Sequence, residues 1–212
     1  MAKVNNLGED NMKSLVLRLA LPSMLAQFVN VLYGIIDRMY IGNLPQVGEV
    51  ALAGVGVCEP LMTLISSFAS LIGIGGSPLL AIRLGEKNQK GAEAILANCF
   101  VMLLGLSAAL TAFFLALKGP LLMTFGASSV TFPYANSYMT IYTLGTVFAI
   151  LSVGLNAFII CQGFSALGML TVVIGAGMNI ILDPILMFKL NMGVNGAAVA
   201  TVLSQATSTL FV

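Results

Sequence analysis

Apolar residues run through this chain in long blocks separated by short polar seams. Six blocks can be drawn, at about 15–42, 51–83, 93–117, 131–162, 166–188 and 193–212. Each approaches or exceeds the roughly 20 residues that a helix needs to cross about 30 Å of hydrocarbon. The pattern predicts an all-α integral membrane bundle of six transmembrane helices in a single domain, 1–212, whose first partner is the lipid bilayer. Several blocks are longer than the minimum, so tilt or extension into water is expected. The first is too long for a signal peptide and no small-residue cleavage site follows it, so it counts as a span.

Composition supports that solvent. The chain is 58% hydrophobic and 8% charged, with a mean hydropathy of +1.01, against about 25% charged residues in soluble domains. A net charge of +1 without any Lys/Arg-dense stripe excludes nucleic acid as a partner. The absence of histidine removes His-based catalysis, His metal sites and a histidine proton relay, and no catalytic motif is present, so the chain does not read as an enzyme and implies no cofactor. Cys58, Cys99 and Cys161 lie far apart in apolar surroundings and read as packing residues. Gly73, Gly75 and Gly76 make no phosphate loop, since no Lys-Ser/Thr follows.

Charge then sets orientation. Lys3, Lys13, Arg18, Arg83, Lys87 and Lys90 fall on one side of the predicted bundle, whereas the opposite loops carry only Lys118 and Lys189. Cytoplasmic loops hold the excess of Lys and Arg, so both termini are expected inside. On this reading Asp37 and Asp183 each lie about five residues before the outer end of an ascending span, at similar depth.

Asp183 is the first charged residue after Lys118, with sixty-four uncharged positions between them. A carboxylate in the hydrocarbon layer costs about 2.5–3.5 kcal/mol or more, so it usually faces a cavity and a partner. Asn179 is four residues earlier on the same helical face. Pro184 follows and donates no N–H, which frees the carbonyl of Ile180. Thr201 on the descending sixth span comes to nearly the same depth, and Tyr33 lies one turn below Asp37. This is a set of hard oxygen groups suited to Na⁺, or to a proton held on a carboxyl; the residues do not choose between them. The plainer readings are an Asp37–Arg38 ion pair, an Asp183 carboxylate reaching outer headgroups near Lys189, and interhelical hydrogen bonding by Asn179 and Thr201. Tyr33 reads equally as packing or as a substrate contact. Pro22, Pro60 and Pro78 read as hinges or as tolerated membrane prolines. The twelve methionines read as filler or as the lining of an adaptable cavity.

Five stretches carry a resemblance to a known family: LALPSMLAQFVNVLYGIIDRMYIGNL (19–44), ALAGVGV (51–57), AIRLGEKNQKGAEAIL (81–96), NAFIICQG (156–163) and MNIILDPILMFKLNMGVNGAAVATVLSQ (178–205). The chain resembles the N-terminal six-helix lobe of a multidrug and toxic-compound extrusion (MATE) transporter. The resemblance implies a twelve-helix antiporter of two lobes in a cell (inner) membrane, expelling drugs or other amphipathic organic compounds in exchange for Na⁺ or H⁺. It also implies a cation site at Asp37, Asn156, Asn179, Asp183 and Thr201. Depth counting puts Asn156 nearer the inner face than the two aspartates, so its place in that site rests on the resemblance. The chain departs from many relatives at Ile160 and Gln162, where they carry Arg and Glu, and at Glu59. That acid opens the second span, either at the interface or in the substrate cavity.

Rocking transport needs two lobes about one central site, and this chain supplies one, ending in an apolar stretch. The expectation is a fragment of a longer chain, with the second six-helix lobe supplied by that chain or by a parallel homodimer. The alternatives are an inactive membrane fragment and a flippase-like relative, which would carry many cationic residues in its cavity.

Overall fold

A computed structural model describes residues 12–212, the side chains of 13–15 excepted. Lys3, counted above towards orientation, lies outside that range, as does the side chain of Lys13.

Seven α-helices and one π-helical turn follow one another: α1 Met12–Gly42, α2 Gly48–Gly85, α3 Gln89–Thr124, α4 Phe132–Leu144, α5 Thr146–Cys161, α6 Ser165–Pro184, the turn Ile185–Lys189, and α7 Val194–Phe211. No strand occurs among the described residues. The fold is an all-helical membrane bundle. At 1.5 Å per residue α2 is about 57 Å long, well beyond the hydrocarbon layer.

Two of the expected segments differ in detail. The block expected over 131–162 is a broken pair: α4 and α5 meet at Gly145 with a bend of 58°. The backbone of Gly145 has an ordinary φ of −87°, so conformational freedom is not its role. Instead a Cβ there would overlap the side chain of Val202 on α7. α7 falls short of the apolar length expected of a span. Four helices are long and apolar enough to span, or five with the bent pair counted as one, and α7 is not among them. Its buried face explains the shortfall, since Thr201, Ser204 and Ser208 all point into the bundle.

The bundle is apolar outside and partly polar within. Its perimeter exposes Leu17, Leu21, Met24, Phe28, Leu71, Ile74, Val101 and Met102, a surface that suits acyl chains rather than water. Its interior joins a large apolar cluster around Ile41, Ile65, Leu103, Phe114 and Ile150 to a smaller one at Leu80, Ala92, Cys99 and Phe158. α1 packs chiefly on α6, and α2 on α5. Small residues permit the second contact: a Cβ on Gly73 would come within 2.6 Å of the Gly154 carbonyl oxygen. This close approach of backbones is how membrane helices gain dispersion contact without a hydrophobic drive, and it is the use the fold makes of Gly73, whereas Gly76 makes room for the Cys99 sulfur and the Phe158 ring.

The seams are short and capped. α1 and α2 are joined by a five-residue turn whose Leu44 is buried beside Ile41 at the end of α1. At the other end of α2, the side chain of Asn88 accepts from the N–H of Gly91 at 2.9 Å and starts α3. An Arg83–Glu86 ion pair of 2.9 Å closes α2 there. Being half exposed, it contributes about 0–1 kcal/mol.

Candidate functional site

A cavity of about 830 Å³ opens within the bundle, lined from α1, α2, α4, α5, α6 and α7. Its wall carries Tyr33, Asp37, Asn156, Asn179 and Thr201, five of the six residues singled out in the sequence. The sixth, Asp183, is fully buried just behind Asn179.

The end of the cavity at Asn179 and Asp183 holds a compact cluster. Asn179 donates from Nδ2 to Oδ1 of Asp183 at 3.4 Å, the i, i+4 contact expected along α6. The carboxyl groups of Asp37 and Asp183 lie in each other's field across the α1–α6 seam. An edge-to-face contact between Tyr40 and Phe188, with centroids 6.3 Å apart, pins the end of α1 against the π-helical turn and so fixes that juxtaposition. Pro184 ends α6 and leads into the turn; single π turns are often found at functional sites.

Three oxygens of the cluster, Asp37 Oδ1, Asp183 Oδ2 and Asn179 Oδ1, are buried without a donor among the described residues. Asp183 is 0% exposed and Asn179 1%. Buried acceptors are nearly always satisfied, and two neighbouring carboxylates repel unless something positive lies between them. The cluster therefore presents convergent negative oxygen that the single Asn179 amide only partly compensates.

Residues not anticipated complete it. Tyr138 on α4 is buried beside Thr201 and sits in the field of Asp37. Thr201 donates to the Ala197 carbonyl at 3.0 Å. One turn deeper, Tyr142 contacts Gln205 of α7 and Ser66 of α2. The sequence signal was present: Tyr134, Tyr138 and Tyr142 fall at i, i+4 and i+8, a polar-tipped aromatic stripe on one helix face. Tyr33, below Asp37, lies close to both aspartates and to Tyr142.

Asn156 is not part of this cluster. Its Nδ2 donates to the Gly168 carbonyl at 3.3 Å, near the start of α6, and a Cβ on Gly168 would meet Asn156 Oδ1 at 2.7 Å. Gly168 lies eleven residues before Asn179 and fifteen before Asp183, about 16 and 22 Å along the helix axis. Asn156 thus lines the same cavity at its opposite end, apart from the other four residues that the family resemblance groups with it.

Glu59 faces the cavity and forms an ion pair with Arg38. The simple Asp37–Arg38 pair considered from the sequence is therefore replaced by a contact between α1 and α2. Among the described residues, Met62 is the one methionine on the cavity wall. Cys58 is buried, with its thiol 3.3 Å from the Ala135 carbonyl, a packing role.

Comparison with known proteins places this architecture. The MatE family model matches residues 22–185. The multidrug export protein MepA of Staphylococcus haemolyticus (strain JCSC1435) is 29% identical over 203 residues, covering 96% of this chain and 44% of that protein. A MATE crystal structure in the bent conformation is 30% identical with a TM-score of 0.87, over 94% of this chain and 44% of the other. An outward-facing multidrug resistance MATE family transporter of the MOP superfamily matches with a TM-score of 0.85 and 30% identity, over 94% and 44%. The chain spans about half the length of the relatives it matches.

Proposed function

This chain belongs to the MatE family, and on that premise we propose that it is the six-helix, cation-coupled lobe of an antiporter that exports drugs or other amphipathic organic compounds. The observation that carries the reading is the cluster of three donorless buried oxygens on Asp37, Asn179 and Asp183. The multidrug export named for the relatives supports the direction and substrate class.

In this reading Na⁺ or H⁺ binds at the outer cluster. The donor set of two carboxylates, one amide oxygen and the Thr201 hydroxyl is hard and all-oxygen, which suits Na⁺; a single proton between Asp37 and Asp183 relieves the same repulsion. Tyr138 stands beside Thr201, and Tyr33 stands between the cluster and the open cavity. Filling the cluster with one Na⁺ or H⁺ lowers its negative charge by one and weakens its hold on a positively charged compound in the cavity, so ion entry favours substrate release. A second six-helix lobe, from a longer chain or a parallel second copy, supplies the facing wall against which this one rocks. Both termini are assigned to the cytoplasmic side of the cell membrane by the Lys/Arg distribution.

A flippase-like reading for pyrophosphate-linked lipids is less well supported. Arg38 is the one basic residue among those lining the cavity, and Glu59 neutralises it.

The test is ion-driven dye efflux in cells lacking their own exporters, with the chain expressed alone and joined to a second six-helix lobe. Asp37→Asn and Asp183→Asn are each expected to bring efflux to the empty-vector level under an imposed Na⁺ or proton gradient. Efflux by both variants equal to the unaltered protein refutes the ion role. Absence of efflux in every form, with normal membrane insertion, favours an inactive lobe.

A further inference from the structure

Arg38 and Glu59 stand opposite each other across the gap between α1 and α2 and form an ion pair. Their side chains remain 54% and 42% exposed, and both belong to the cavity wall. The two helices otherwise touch little, since α1 leans on α6 and α2 on α5. The pair therefore bridges an open gap rather than fastening a packed seam.

The surroundings of the pair are amphipathic. On α1, Val31, Ile35 and Arg38 fall at i, i+4 and i+7; on α2, Val55, Glu59 and Met62 repeat the pattern, so each helix turns one apolar face tipped by a charge into the same space. Arg38 is the one basic side chain among the described lining residues, and Tyr33 adds an aromatic ring to the same wall. A half-exposed ion pair is held weakly. A ligand that brings its own positive charge and an apolar body can take the carboxylate from the guanidinium, which then turns to water.

We propose that Glu59 receives the positive group of an amphipathic organic cation whose apolar body rests on Val31, Ile35 and Met62, and that Arg38 is the resident counter-cation it displaces. This rests on the export reading above and names the point of charge recognition within it. Arg38 then acts as a threshold: neutral compounds leave the pair closed, and cations compete with it. Glu59 serves the organic cation on α2, while Asp37 and Asp183 serve the inorganic one on α1 and α6, so the two cargoes occupy neighbouring but separate carboxylates.

The experiment is calorimetric titration of the purified full chain, in lipid nanodiscs at fixed Na⁺ and pH, with tetraphenylphosphonium as the probe. Glu59→Gln is expected to weaken binding about tenfold, Glu59→Asp to keep it within about threefold, and Arg38→Gln to tighten it about threefold to tenfold by removing the competitor. Opposite signs for the two neutralising variants separate charge recognition from misfolding, which lowers both. Affinities for Glu59→Gln and Arg38→Gln equal to the unaltered chain overturn the assignment and leave the export reading standing. Loss of binding in both overturns it in favour of a structural clamp. No saturable binding by the unaltered chain overturns this inference and the substrate reading together.

Discussion

Asp183 is a fully buried carboxylate held by one amide, with its second oxygen donorless. Such a group is a stability liability kept for another purpose, because an uncompensated buried charge costs several kcal/mol. Asp183→Asn is therefore expected to raise the thermal unfolding midpoint in cation-free buffer near neutral pH, by an amount corresponding to about 1 kcal/mol or more, while abolishing ion-linked transport. A lowered midpoint would show that the carboxylate has a structural partner instead. Asp37, Asn179, Asp183 and Thr201 were legible in the sequence because polar groups inside apolar blocks are costly and therefore conspicuous. Tyr138 and Gln205 were not singled out: a tyrosine is at home in an apolar segment, and only the packing of α4 on α7 reveals that both hydroxyl-tipped and amide groups meet there. Glu59 was visible as an acid, yet its pairing with Arg38 required knowing that α1 and α2 face one another across a gap.

At the scale of elements, the helices α1, α2, α3 and α6 were legible from apolar length alone, and the break at Gly145 was not. A glycine with an ordinary helical-side φ gives no local signal; its reason is the side chain of Val202 lying against it. Gly145→Ala is expected to destabilise the bundle by about 1–3 kcal/mol through overpacking. Gly145→Ala combined with Val202→Ala is expected to recover most of that loss, a coupling readable in a double-mutant cycle of thermal midpoints. Gly73→Ala, where the obstruction is the Gly154 backbone rather than a pliable side chain, is expected to cost at least as much. No single side-chain truncation relieves it. Asn156 and the aspartates end up at opposite ends of one cavity: residue counting along the span separates them, whereas the family resemblance groups Asn156 with residues about 16–22 Å away along α6.

For the whole molecule, the charge distribution predicts which loops meet which compartment. With Cys58 and Cys99 buried, a cysteine placed at Gln46, between α1 and α2, is expected to react with a membrane-impermeant maleimide on intact cells. One placed at Lys87, between α2 and α3, is expected to react only after permeabilisation. The reverse pattern would invert the assigned orientation. The family and the bundle were readable from block lengths and motif strings, because bilayer thickness imposes one length on every span. The arrangement of those spans around a cavity was not, since apolar faces alone do not say which of them meet lipid and which meet each other.

The buried hydroxyl face of α7 bears on how the molecule is made. Thr201 and Ser204 return their hydrogen bonds to Ala197 and Ala200 of α7 itself, whereas Ser208 donates to the Thr171 carbonyl of α6, so the polar face of α7 is fully paired only once α6 is there to receive it. During biogenesis α7 is a dependent segment: the insertion machinery has little reason to release it into lipid by itself, and its predecessors must act as its chaperone.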